Sequence, residues 1–201
     1  MDRITALKKL KAIEGSDLRQ LAEKYEVTVW KGGKLNKGWA GHVLERYLGL
    51  PLNSSRAPNF GSWELKLVSY KYLKNGALVP KETMAITMLD PVNVRQTSFE
   101  DSHLWLKLSK LVVCARLFVD KAEETSTLLK CNPFNLDDEH IITAIRKDYE
   151  LIRTTIIKEG YSALTGRLGY YIQPRTKGRG HGSVSRAFYA RKNLISIIMK
   201  I

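Results

Sequence analysis

"PNFGSWELKLVSY", residues Pro58–Tyr70, decides how the rest of the chain is read. From Ser62 onward it alternates and is rich in strand formers, so it predicts a strand. Side chains at i and i+2 of a strand share one face, which sets Glu64 and Lys66 side by side just after a loop. A carboxylate there suits a hard cation such as Mg2+, and the backbone carbonyl of Leu65 offers a further oxygen. Such a cation offsets charge developing on a phosphodiester and activates water, while a neighbouring lysine holds the water or faces the phosphate. The same tripeptide is also commonplace as a salt bridge on an ordinary surface strand. A metal-dependent nuclease core further wants a carboxylate shortly upstream, and Asn59 stands there.

Upstream of that strand, apolar Ile4, Leu7 and Leu10, then Leu18, Leu21 and Ala22, predict two helices within residues 1–25, separated by Gly15–Asp17. Asn36–Gly49 reads as another helix, with Asn36 as N-cap and Gly49 and Pro51 as the stop. A polar loop follows at Asn53–Pro58. Asn75-Gly76 is a hairpin signal, with Thr83–Leu89 as the expected return strand. Ser102–Val119 reads as a short helix or strand turning into a buried strand around Leu111–Val119. Leu136–Gly160 is the clearest helix, with its acids at the N-terminal end and Ile141, Ile145, Ile152 and Ile156 on one face. Tyr170–Pro174 and Arg186–Ala190 read as strands joined by a flexible Gly-rich basic loop, Arg175–Ser183, and Lys192–Lys200 as a closing helix. The pattern indicates one α/β (α+β) domain over residues 1–201, with a mixed sheet flanked by helices.

The 201 residues carry a net charge of +13. That favours polyanion partners, nucleic acid first. From Gly160 to Ile201 there is no Asp or Glu, against Arg167, Arg175, Lys177, Arg179, Arg186, Arg191, Lys192 and Lys200. Tyr170, Tyr171, Phe188 and Tyr189 are interleaved with them. A solvated basic face is the plain reading of such a segment; a phosphate backbone lying across it accounts better for the missing acids. No apolar run approaches the ~18–20 residues of a membrane span, and "MDRITALKKLKAIEG" lacks the apolar stretch of a secretory signal, so a cytoplasmic protein is expected. Cys114 and Cys131 have no metal-ligand spacing and read as buried thiols, with one bridge as the alternative. The four histidines are scattered, and Trp30, Trp39, Trp63 and Trp105 read as core. Walker A, GxGxxG and GxSxG patterns are absent from the sequence.

Five blocks, "KGWAGHVLERYLG" (Lys37–Gly49), "APNFGSWELKL" (Ala57–Leu67), "FEDSHLWLKL" (Phe99–Leu108), "GYYIQPRTK" (Gly169–Lys177) and "RAFYARKNL" (Arg186–Leu194), stand in order and at similar spacing to those of the MutH-like endonucleases. That family comprises the strand-nicking enzyme of mismatch repair and related GATC-cutting restriction enzymes. The resemblance runs from about Lys37 to the C-terminus. It implies a restriction-endonuclease-like core, a D…E-x-K site, and two lobes around a DNA cleft, with about 37–130 as the catalytic lobe and about 160–201 as the DNA-reading segment.

Carried over residue by residue, Glu64 resembles the metal-binding acid and Lys66 its lysine. Lys107 matches an additional active-site lysine, and Glu45 an acid on the early helix bordering the metal. Lys37 matches a DNA-approaching lysine, and Arg175 and Lys177 a base- and phosphate-contacting pair. Tyr189 matches the aromatic residue that senses the adenine and its methylation. Arg179, Arg186, Arg191 and Lys192 join them as DNA-binding candidates through the basic segment. The implied cofactor is Mg2+, held by Asn59, Glu64 and the Leu65 carbonyl; the implied partner is double-stranded DNA, bound by a monomer or a homodimer.

The family places an Asp farther upstream of its Glu, whereas here Asn59 lies five residues before Glu64. An amide lacks the charge, so weaker metal binding and impaired cleavage are expected, with DNA binding kept. Such a residue is expected of an inactivated Asp-to-Asn form. The Leu73–Glu82 hairpin resembles the restriction branch, so a type II-like enzyme is expected. A MutH-type nickase with a MutL-type activator, or a non-cleaving DNA-binding relative, is the alternative.

Overall fold

The computed structural model describes residues 1–49, 61–178 and 184–201. Asn59, Arg179, the expected polar loop at Asn53–Pro58 and most of the Gly-rich basic stretch lie outside the described residues.

Helices α1 (Arg3–Lys11) and α2 (Leu18–Lys24) form where the apolar spacing predicts, with Asp17 accepting the Arg19 N–H to cap the second. A tight ribbon, β1 (Trp30–Lys31) and β2 (Lys34–Leu35), precedes α3 (Trp39–Tyr47). The expected cap of α3 is displaced. Asn36 instead turns the chain ahead of the helix, its Oδ1 accepting the Gly38 N–H and its amide donating to Thr28 O.

Strand β3 (Glu64–Tyr72) is followed by β4 (Leu78–Pro80), β5 (Met84–Met88), α4 (Pro91–Gln96), α5 (His103–Leu108) and β6 (Lys110–Leu117). Next come β7 (Leu128–Asn135), α6 (Glu139–Glu159), a 3-10 turn at Tyr161–Ala163, β8 (Ile172–Thr176), β9 (Arg186–Ala190) and α7 (Lys192–Met199). Asp138 caps α6 through the N–H groups of His140 and Ile141, and the helix ends at Gly160.

Beyond the β1–β2 ribbon, the described strands form two sheets, one mixed and one antiparallel. The first has the order β4-β3-β6-β7, with β3 and β6 parallel and both outer strands antiparallel to them. The second has the order β5-β9-β8, all antiparallel. The Asn75-Gly76 turn forms, but the return strand differs from the expectation. Leu78–Pro80 pairs with β3, and Thr83–Leu89 contributes β5 to the second sheet instead. Pro80 has no N–H to continue a ladder; Lys81 N–H closes it on Ser69 O, and the chain leaves the sheet.

Strand parity decides what each face of β3 and β6 covers. Leu65, Val112 and Cys114 pack under α1, α2 and α3 with Trp39 and Trp63. Val68, Tyr70, Leu111, Val113 and Ala115 pack on the opposite face, against α5, α6, α7 and the second sheet. Glu64 and Lys66 have the parity of Val68 and Tyr70, at the end of β3 where the core gives way to a cleft. Cys114 and Cys131 are buried free thiols directly opposite each other on β6 and β7. Trp30 departs from the expectation of a core tryptophan: it is 42% exposed, whereas Trp39 and Trp63 are buried.

Candidate active site

Glu64 opens β3 and is 2% exposed. Its Oε1 lies 2.7 Å from Lys66 Nζ, and its Oε2 lies 3.0 Å from Lys107 Nζ. The strand period provides the first contact. The second comes from α5, whose N-cap Ser102 accepts the Trp105 N–H and so starts the helix. The i, i+4 spacing of His103 and Lys107 then puts both on the side of α5 that lines the cleft.

The cleft has a volume of about 940 Å³. Helix α3 lends Gly41, His42 and Glu45 to its wall, β5 runs along another side, and Lys177 and Arg186 come from the ends of β8 and β9. Four cations, Lys66, Lys107, Lys177 and Arg186, thus meet three carboxylates, Glu45, Glu64 and Asp90, in one concavity. Burial pulls the Lys177 ammonium below the ordinary lysine value, and repulsion from Lys66 and Lys107 pulls it further. Burial likewise holds His42 below the usual histidine value.

Leu65 turns its side chain into the core under the helices, leaving only its main chain as a source of a metal-binding oxygen. Lys37 is exposed immediately ahead of Gly38 on the cleft wall. Arg175 and Tyr189 form a pair of their own on the second sheet. The guanidinium carbon lies 5.6 Å from the ring centroid, and Arg175 also donates to Thr83 Oγ1 at 2.8 Å. Burial pushes the Tyr189 phenol up, against the pull of Arg175. Arg186 lies over the Tyr161 ring and donates to Thr176 Oγ1. Lys192 is exposed at the start of α7. Arg191 is engaged by the chain itself, donating to the carbonyls of Gly166 and Leu168.

Sequence reasoning passed over three cleft residues, His42, His103 and Asp90. The first two were legible as partners at helical spacing of Glu45 and Lys107. Asp90 carries no such signal, because it is also the N-cap of α4. Asp148 was missed as well. It is buried in α6, and its carboxylate accepts the N–H groups of Tyr170, Tyr171 and Ile172, which fixes the start of β8.

A family model described as DNA mismatch repair enzyme MutH matches residues 48–139, the span that holds Glu64, Lys66 and Lys107. Curated proteins named DNA mismatch repair protein MutH match almost the whole chain. The one from Vibrio parahaemolyticus is 27% identical, with 88% of this chain and 77% of that protein covered. The one from Haemophilus ducreyi is 23% identical, with 96% and 91% covered. This chain is MutH-like. The MutH relative from Shewanella woodyi is 27% identical over 86% of this chain and 74% of its own length. Among solved structures, a complex of restriction endonuclease MvaI with its cognate DNA substrate covers 99% of the MutH-like chain and 97% of its own. Its TM-score is 0.38 and its identity 12%, too low to bear on function.

Proposed function

We propose that this chain is a DNA endonuclease of the MutH type, which hydrolyses one phosphodiester at a specific double-stranded site with Mg2+. The observation that carries the reading is the Glu64 carboxylate held between Lys66 and Lys107 at the head of a cationic cleft. The mismatch-repair names of the relatives favour nicking of one strand over the restriction-type cut expected from the Leu73–Glu82 hairpin. A MutL-type activator belongs to this reading, and a homodimer to the restriction-type one.

A hard cation would take oxygens alone: those of the Glu64 carboxylate, the Leu65 peptide carbonyl and the Asn59 amide. Glu45 lines the same cleft. Among the described residues no three acid, histidine or cysteine side chains converge as a metal site, so the peptide and amide oxygens belong to this set. Bound there, Mg2+ would lower the pKa of a coordinated water and offset phosphate charge. Lys66 and Lys107 orient the carboxylate between them and face the phosphate. Lys177 brings a third ammonium from the reading segment, so cleavage is completed only when residues 160–201 are seated on DNA. Lys37, Arg179, Arg186 and Lys192 hold phosphates, while Arg175 and Tyr189 reach base edges from the second sheet. Residues 37–130 then act as the catalytic lobe.

Asn59 stands for an aspartate in this reading, and its neutral amide weakens metal binding. A supercoiled-plasmid assay with Mg2+ on the protein and on Asn59→Asp tests the whole. Nicked circles that accumulate with Asn59→Asp support the MutH-type enzyme, and direct linear product shifts the reading to a restriction enzyme. No cutting by Asn59→Asp, with or without a MutL-type activator, overturns the catalytic assignment.

A further inference from the structure

The β1–β2 ribbon lies outside the machinery described so far. It is a two-residue turn, Gly32-Gly33, between two-residue strands, with φ of +54° and +70° at the two glycines. Both positions lie in the left-handed region that the primed hairpin turns require, so the ribbon is tight and its tip has one shape. Directly opposite each other at that tip stand Lys31 and Lys34. Like charges facing across two strands are destabilising. Both lysines are exposed, and neither forms an ion pair with any described residue. Trp30, next in the ribbon, is 42% exposed.

The ribbon is tied to the cleft. Asn36 N–H donates to Val29 O, and the Asn36 side chain donates to Thr28 O and accepts the Gly38 N–H. Gly38 itself lines the cleft. The ribbon that carries the paired lysines is therefore tied through Asn36 to the stretch that enters the cleft at Gly38.

We propose that Lys31 and Lys34 clamp a phosphate of the DNA backbone flanking the cut site. This rests on the double-stranded DNA endonuclease reading above. An anion seated between two facing ammoniums turns their repulsion into attraction, and the fixed tip removes the backbone part of the ordering cost. The clamp contributes affinity and register, with no sequence preference of its own.

The test is the salt dependence of binding to a fluorescent duplex in EDTA, for the protein and for the Lys31→Ala/Lys34→Ala variant. The slope of log affinity against log salt is expected to fall in magnitude by roughly 0.9 in the variant, the value for one phosphate neutralised. A Lys31→Arg/Lys34→Arg variant keeps the original slope. An unaltered slope in the alanine variant, with the parent binding and Asn59→Asp cutting normally, overturns the clamp and leaves the endonuclease reading standing. Loss of binding to phosphatidylserine vesicles in the variant, with the DNA slope unaltered, overturns it too. A parent that binds no duplex at any salt overturns the endonuclease reading and the clamp with it.

Discussion

Lys107 Nζ sits 3.0 Å from Glu64 Oε2, although 43 residues separate the two in the chain. Both side chains are almost wholly out of water, at 6% and 3% exposure, and Lys66 completes the cluster on the other oxygen. A buried charge persists only when paired, so each member fixes the others. Glu64→Gln removes the carboxylate and leaves two ammoniums against a neutral amide. Plasmid cleavage in an Asn59→Asp background is expected to fall by on the order of 10² or more. Stability drops by roughly 3–5 kcal/mol, measured by denaturant unfolding. Duplex binding is kept or strengthened, because a negative charge near the phosphate has gone.

Asp148 anchors the start of β8. Tyr170 N–H reaches Oδ1 at 2.7 Å, and Tyr171 and Ile172 N–H reach Oδ2 at 2.7 and 2.8 Å. Gly169, at φ +78°, makes the turn that brings them there; a Cβ on it would run into Ile172 O. Asp148→Asn offers one acceptor and sets an NH2 against an N–H. The expected loss is about 2–3 kcal/mol, seen as a lower melting temperature. Binding to the preferred duplex weakens, and cleavage in an Asn59→Asp background falls with it, because β8 leads directly into Lys177 of the cleft.

His42 makes the fold acid-sensitive. Burial lowers its pKa below the ordinary value of 6.5. Above that value the ring is neutral folded and unfolded, and it costs nothing. As pH falls below it the unfolded chain takes up the proton first, and stability is lost progressively down through the lowered folded value. Melting curves between about pH 7.5 and about pH 5 are expected to show this loss, and His42→Gln to remove part of it.

Cys114 and Cys131 face each other across β6 and β7 with no exposed surface. Burial pushes the Cys114 thiol well up, and the Cys131 thiol and Glu14 push it further. A thiolate is the reactive form, so a thiol reagent such as DTNB is expected to titrate both cysteines only after unfolding. Rapid labelling of the native protein counts against the assignment.

Much of the fold was legible. The capped helices α2 and α6 and the alternating strand β3 carry their periods and stop signals within a dozen or two residues. Strand β7 was not seen, because Lys130, Asn132 and Pro133 break a strand pattern. It is tolerated as an edge strand, where a missing N–H need not serve a second neighbour. The fate of Thr83–Leu89 was equally hidden: nothing local says that a strand after a hairpin joins another sheet.

Glu64 and Lys66 sharing a face, the absence of acids after Gly160, and the coiling or extension of the strongly periodic segments are all legible in the chain alone. These are properties of short-range period and composition. The meeting of Lys107 and Lys177 with that pair, the grip of Asp148 on the start of β8, and the holding of Arg191 by the chain's own carbonyls come from the packed fold. Those contacts depend on which buried faces pack together. Packing joins residues tens of positions apart, and no local pattern records it.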